Sequence, residues 1–298
     1  MDPETKVQKE KQWAAISSLF AAVGLTALKV IVGLMTGSLG ILAEAAHSGL
    51  DLIAAGITAF AVNKSSKPAD SEHPYGHGKM ENLSAFVETI LLLVTCFWIV
   101  YAALQRIITG KIEIEVNVWS FAVIIVSIIV DASRSRMLYR AARKYSSQAL
   151  EADALHFSTD IWSSAVVLLG LFCVKLHEWL QAYAFLHYAD TVAALIVGII
   201  VIQVSAKLGM RTINALMDSA PTGAEKKIIT MVEALPSILD CHNVRIRSAG
   251  YQSFIDLHVR INGDLTLREA HDLTEEIERC IKKIIPNSDI TVHPEPNP

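Results

Sequence analysis

Glu44-Ala45-Ala46-His47-Ser48-Gly49-Leu50-Asp51 is a charged octet set inside an apolar run. Its plan returns in a second apolar run as Asp153-Ala154-Leu155-His156-Phe157-Ser158-Thr159-Asp160. Each reads acidic, Ala, any residue, His, three others, Asp. On an α-helix a His and an Asp four positions apart share one face, about 6 Å apart along the axis. Two such helices packed face to face would bring His47, Asp51, His156 and Asp160 to one point. Two imidazoles and two carboxylates suit a tetrahedral divalent metal, zinc first among them.

The apolar setting sharpens this reading. An ionised Asp near the centre of a membrane helix costs about 2.5–3.5 kcal/mol on insertion scales. A single one has an ordinary explanation, a polar pair that joins two helices. Two His-x-x-x-Asp pairs in separate runs are harder to explain that way, because intramembrane ionisable groups need partners and mark pathways. Glu44 and Asp153 each stand three residues before their histidine, near the same face. They fit acceptors for an imidazole N–H or way-stations for a metal, and equally fit ordinary helix polarity. Asp131, one turn before Arg134, reads as a local ion pair.

Working outward, the 298 residues are 52% hydrophobic and only 19% charged, with a mean hydropathy of +0.39. Both figures point to a membrane protein. Six apolar runs are long enough to cross a hydrocarbon core of about 30 Å: Trp13–Met35, Ser38–Val62, Leu83–Ile108, Val118–Tyr139, Ala149–Leu176 and Tyr188–Leu208. The short turn Thr36-Gly37-Ser38 makes the first two antiparallel neighbours. Lys6, Lys9, Lys11, Lys64, Lys67, Lys79, Arg134, Arg136, Arg140, Arg143 and Lys144 gather on one side, against Arg106, Lys111 and Lys175 on the other. The crowded side should be cytoplasmic, with both termini inside. Lys29 falls within the first run and is expected to snorkel to the outer interface. The net charge of −4 gives no reason to expect nucleic acid as a partner. Cys96, Cys173, Cys241 and Cys280 are widely spaced, which argues against a disulfide framework or a thiolate zinc finger. The polar stretch before Trp13 lacks the apolar core of a signal peptide.

After the sixth run the composition changes at Met217-Asp218-Ser219-Ala220-Pro221-Thr222-Gly223. Beyond it lie a helix over Glu225–Leu235, strands over Asn243–Arg247 and Phe254–Ile261 around Gly250, a helix over Leu267–Ile284 and a last strand over Ser288–His293. That α-β-β-α-β order predicts a small open α+β sandwich, marginal in size and helped by dimerisation. Strand alternation turns Ile255, Leu257, Val259 and Ile261 one way and His258 the other. In the last strand Ile290 and Val292 face in and His293 out, so His258 and His293 share the uncovered face. His271 lies on the polar side of its helix with Glu275 and Glu278. Between the second and third runs, Pro68-Ala69-Asp70-Ser71-Glu72-His73-Pro74-Tyr75-Gly76-His77-Gly78-Lys79 reads as a solvated loop or as a metal site of Asp70, His73 and His77.

With these motifs in hand, the chain resembles the cation diffusion facilitator family of divalent-metal/proton antiporters, in its zinc and iron efflux branch. The likeness runs over nearly the whole length and is carried by the paired octets, the Pro68–Lys79 loop and the C-terminal pattern. It implies a six-helix transmembrane bundle joined to a cytoplasmic α+β domain similar to a metallochaperone. The expected division is a cytoplasmic segment over 1–12, a transport domain over 13–213 and a metal-binding, dimerising domain over 214–298. His47, Asp51, His156 and Asp160 then correspond to the transport site, and Asp70, His73 and His77 to a loop site. His242, His258, His271 and His293 correspond to a binuclear site in the cytoplasmic domain, with Glu295 where the family often has Asp. Lys79 and Asp218 correspond to a charge pair linking the third and sixth spans.

A His2Asp2 set favours Zn²⁺, with Cd²⁺, Fe²⁺, Co²⁺ and Ni²⁺ as further candidates. The stretch Arg140–Ala149 holds no histidine, unlike that of many organelle zinc transporters, which suggests a bacterial inner-membrane member. The expected function is export of divalent metal in exchange for protons, by a homodimer in the lipid bilayer and not an enzyme. The rival is a membrane-anchored metal sensor. A metal-dependent hydrolase would need an open coordination position, which four protein ligands do not leave, and the chain has no His-Glu-x-x-His.

Overall fold

The computed structural model describes residues 3–37, 39–109, 118–180 and 189–297. Ser38, Lys111 and Tyr188, used in the reading above, lie outside the described residues, as do the side chains of Arg106 and Lys175. Six long helices come first: α1 (Pro3–Thr36), α2 (Leu39–Ser65), α3 (Lys79–Thr109), α4 (Val118–Tyr145), α5 (Gln148–Leu180) and α6 (Ala189–Leu216). The first begins at Pro3, so the polar residues before Trp13 are helical and continuous with the apolar run.

Over the described residues, four of the six are long and apolar enough to cross a membrane: α1, α2, α3 and α6. Six such runs were expected; α4 and α5 form at full length but fall short by that measure. They carry Asp131 and Arg134, and Asp153, His156 and Asp160, turned toward the bundle interior. The bundle buries polar groups beside an apolar core of Val62, Leu138, Leu150 and Phe157, and turns other large apolar side chains outward. Ser18, Lys29, Ser48, Thr58, Glu88 and Arg134 are buried, while Phe20, Leu34, Phe60, Val94 and Ile129 face outward. An apolar outer surface suits hydrocarbon as solvent.

Helix α1 packs along α2, α4 along α5 and α3 along α6. Small residues set the last contact. A Cβ at Gly198 would stand 2.8 Å from Val100 Cγ2, and one at Gly209 2.9 Å from Thr89 Cγ2. Packing α2 against α5 is what brings the two octets together.

The C-terminal domain has α7 (Ala224–Glu233), β1 (Asp240–Ala249), β2 (Gln252–Asn262), α8 (Leu267–Ile284) and β3 (Ser288–Asn297). The sheet order is β1-β2-β3, with β1/β2 antiparallel and β2/β3 parallel. Ile255, Leu257, Val259 and Ile261 of β2 bury against Ile228 and Val232 of α7 and Leu273, Ile277 and Ile281 of α8. Thr266 and Glu269 close a reciprocal capping box at the start of α8. The β1–β2 turn meets the start of α3: a Cβ at Gly78 would lie 2.3 Å from the Ala249 carbonyl oxygen, so only glycine fits there. Arg247 lies 3.7 Å above the Tyr75 ring, which meets Phe254 edge-on.

Candidate metal centres

The octets meet as their spacing requires. His156 Nε2 stands 2.9 Å from Asp51 Oδ1 and 3.7 Å from Asp160 Oδ2. His47 Nε2 stands 3.8 Å from Asp160 Oδ1 and 4.0 Å from Asp51 Oδ1. Ligand atoms about 2 Å from a tetrahedral zinc are about 3.3 Å apart; Asp51, His156 and Asp160 bring ligand atoms within 4.8 Å of one another, and His47 stands at the edge of that three-group cluster. Asp51 and His156 are buried, whereas the His47 side chain is 38% exposed. His47 is thus the more open of the two imidazoles. The His156–Asp51 hydrogen bond holds a proton between two atoms that a metal would need as ligands.

The surroundings depart from one expectation and give partners to two acids whose role the sequence left open. Lys29 does not snorkel: it is buried and donates to Glu44 Oε2 at 3.1 Å and Ser48 Oγ at 2.7 Å. Glu44 therefore pairs with an ammonium on α1, which leaves its own histidine to Asp160 and Asp51. Asp153 accepts from Ser18 Oγ at 3.4 Å, and that hydroxyl also receives Arg134 Nε at 3.2 Å. Arg134 donates to Asp131 at 3.3 Å, the pair read from sequence, and lies 3.4 Å over the Phe157 ring. Both acids have donors on a neighbouring helix, α1.

Further buried groups were not singled out from sequence. Glu81 is fully buried and accepts from Lys11, Ser65 and Ser147, joining α1, α2, α3 and the start of α5. Glu88, seven residues on, has no hydrogen-bond partner among the described residues. The signal was available: two glutamates seven residues apart, one just before the third apolar run and one inside it, on one helical face.

The loop residues converge as well. The Asp70 carboxylate accepts from the backbone N–H groups of His73 at 2.7 Å and Glu72 at 3.1 Å. The first of these bonds above all holds Asp70 below the usual carboxylate range. His77 Nε2 lies 3.5 Å from Asp70 Oδ2, and the His73 and His77 rings are 4.4 Å apart. Asp70, His73 and His77 could together take one ion.

In the C-terminal domain, His242, His258 and His293 share one rung of the sheet. Glu295 Oε1 lies 2.9 Å from His258 Nδ1 and its Oε2 3.4 Å from His242 Nε2. The hydrogen bond from His258 holds Glu295 below its ordinary range. Asp240 orients His242 from its other nitrogen at 2.9 Å, a common arrangement behind a metal-bound imidazole. His242, His258 and Glu295 form a three-group cluster, with the His293 ring 4.7 Å from that of His258. His271 is not part of it; it faces Glu275 at 3.6 Å on α8. Burial pushes the Cys241 thiol up to about 11, so it offers no thiolate near neutrality. Lys79 Nζ meets Asp218 Oδ1 at 2.9 Å, tying the start of α3 to the end of α6.

Comparison with known proteins finds two family models. The cation efflux transmembrane domain matches residues 15–217, and the cytoplasmic domain of cation efflux proteins matches residues 220–297. An uncharacterized transporter of Synechocystis sp. (sll1263) is 34% identical over 287 residues, covering 95% of this chain and 89% of the relative. The cation-efflux pump FieF of Yersinia enterocolitica is 30% identical over 286 residues, covering 95% and 92%. Among solved structures, the zinc form of CzrB is similar to the C-terminal part, at 29% identity over 27% of this chain and 92% of that one, with a TM-score of 0.25.

Proposed function

The chain belongs to the cation efflux family, and on that premise we infer that it is a secondary active transporter exporting divalent metal, Zn²⁺ foremost, in exchange for protons. The observation that carries the inference is the 2.9 Å hydrogen bond between His156 and Asp51 inside the cluster of Asp51, His156 and Asp160, with His47 at its edge. Metal can bind there only with the imidazoles neutral and the aspartates ionised, so the incoming ion displaces a proton. Opened to a more acidic compartment, the same atoms take protons back and release the metal. Imidazole as a class titrates near neutrality, in the useful range. Movement of the helices would present His47, Asp51, His156 and Asp160 alternately to the two sides. Two imidazoles with two carboxylates favour Zn²⁺ over harder ions; Cd²⁺, Fe²⁺, Co²⁺ and Ni²⁺ share enough of its chemistry to compete.

The other clusters fit regulation by the same ion. Asp70, His73 and His77, together with His242, His258 and Glu295, lie outside the bundle on the side that would be cytoplasmic. Metal there would bias the arrangement of the two domains across the Lys79–Asp218 pair. The unit of function would be a homodimer in the bacterial inner membrane with both termini cytoplasmic.

Asp51→Ala tests the reading. Zinc movement across the membrane should vanish in that variant, while zinc binding by the exposed clusters survives. If zinc is bound by wild type but never moved, the transporter fails and a membrane-anchored sensor takes its place.

A further inference from the structure

A hollow of about 470 Å³ lies between the N-terminal part of α1 and the C-terminal part of α4. Among the described residues, Lys6, Lys9, Arg140 and Lys144 line it, against one carboxylate, that of Glu10. That carboxylate is committed: it accepts from Lys144 Nζ at 2.6 Å and from the Tyr145 hydroxyl. Lys6 and Arg140 are exposed, and no ion pair to either is formed among the described residues. Among the described residues the lining is therefore net positive.

Its floor and lip are apolar. Ala14 and Met137 form part of the lining, and Trp13 at the lip is 67% exposed. Trp13, Ile16 and Phe20 follow one another at helical spacing, all exposed, as a strip running from the hollow toward the middle of the apolar stretch. The hollow also lies at the end of the bundle that carries the C-terminal domain, since Lys11 on the same helix sits 5.2 Å over the Tyr251 ring. Tryptophan where an apolar run begins marks the membrane–water boundary, and basic pockets there select anionic headgroups.

We propose that this hollow binds an anionic phospholipid, its phosphate held by Lys6 and Arg140 and its acyl chain laid along Trp13, Ile16 and Phe20. A free anion would use the cations and leave the apolar strip uncovered; a zwitterionic lipid would use the strip and bring no net charge to the cations. The anionic lipid satisfies both. By bridging α1 and α4 it would add to the Lys144–Glu10 link between the same helices.

Native mass spectrometry of the purified full-length protein, with phosphatidylglycerol and phosphatidylcholine of matched chains, tests this. Wild type should retain phosphatidylglycerol over phosphatidylcholine by about thirtyfold, and Lys6→Gln/Arg140→Gln should lose that preference, given the roughly 1 kcal/mol each such cation contributes near a lipid surface. Both residues are exposed, so the fold should hold, which an unchanged thermal midpoint in detergent would verify. Lys226→Gln/Lys227→Gln, with the same charge loss on α7, should keep the preference. Equal retention of the two lipids by wild type would overturn the proposal, as would loss of preference in the α7 variant. Displacement of the lipid by equimolar glycerol phosphate would overturn it too, because the site would then be one for a soluble anion.

Discussion

Lys29 is a buried ammonium whose counter-charge is unequally placed. The Glu44 side chain is 48% exposed while that of Lys29 is 5%. Removing the cation leaves Glu44 able to reach water or headgroups, but removing Glu44 leaves a charge stranded in the bundle. Glu44→Ala should therefore cost about 3 kcal/mol or more, and Lys29→Met about 1 kcal/mol or less, measured as unfolding in detergent. Equal losses would contradict this account of the pair. The sequence showed Lys29 and Glu44 as charges in adjacent apolar runs but not which turns face each other. That depends on the hairpin closed through Gly37, at φ 65°, and on Thr26 gripping the Ser48 carbonyl at 3.0 Å. The meeting of the two octets was legible for the opposite reason: the His–Asp spacing of four is a property of each helix alone.

Among the elements, the Glu81 knot carries the most consequence. Lys11 and Glu81 are both fully buried, so Glu81→Ala should cost about 3–5 kcal/mol by stranding the ammonium. The apolar double replacement Lys11→Met/Glu81→Leu should recover much of that loss; a double variant as unstable as the single one would count against the knot as an ion pair. Helix α8 is held at its start by a different device. The Glu269 carboxyl is kept below its usual range chiefly by the Thr266 backbone N–H. A carboxylate lowered on folding stabilises fully above its unfolded value, and that contribution disappears as pH falls through the folded one. Glu269→Gln should thus lower the thermal midpoint of the protein at neutral pH and match wild type in acid; an equal difference at both would refute the cap's electrostatic part. The bounds of α8 were readable because cap, apolar spacing and Pro286 are local signals. Those of α1 were not, because a polar segment that continues a helix looks the same in sequence as one that precedes it.

For the whole molecule, the lower end of the bundle and the C-terminal domain form a continuous junction. Gly78 abuts Ala249, Tyr75 stacks under Arg247, and Lys79 meets Asp218. The loop cluster of Asp70, His73 and His77 is part of the same segment, so metal held there would bear directly on that junction. The αββαβ order was legible from alternation and turns, but the exclusion of His271 from the histidine rung was not, since it depends on how α8 lies over the sheet. His271→Ala should leave the zinc affinity of the His242–His258–Glu295 cluster unchanged by calorimetry, whereas His258→Ala should weaken it by about 10–100-fold or more. Comparable losses would place His271 in the cluster after all.

The central claim is that one cage between α2 and α5 exchanges metal for protons. Its most direct test records zinc and pH together inside proteoliposomes under an imposed pH gradient, for wild type and Asp160→Ala. Zinc should enter as protons leave, in fixed proportion, and both flows should stop in the variant. Zinc moving without any proton counterflow, or moving undiminished in Asp160→Ala, would contradict the account.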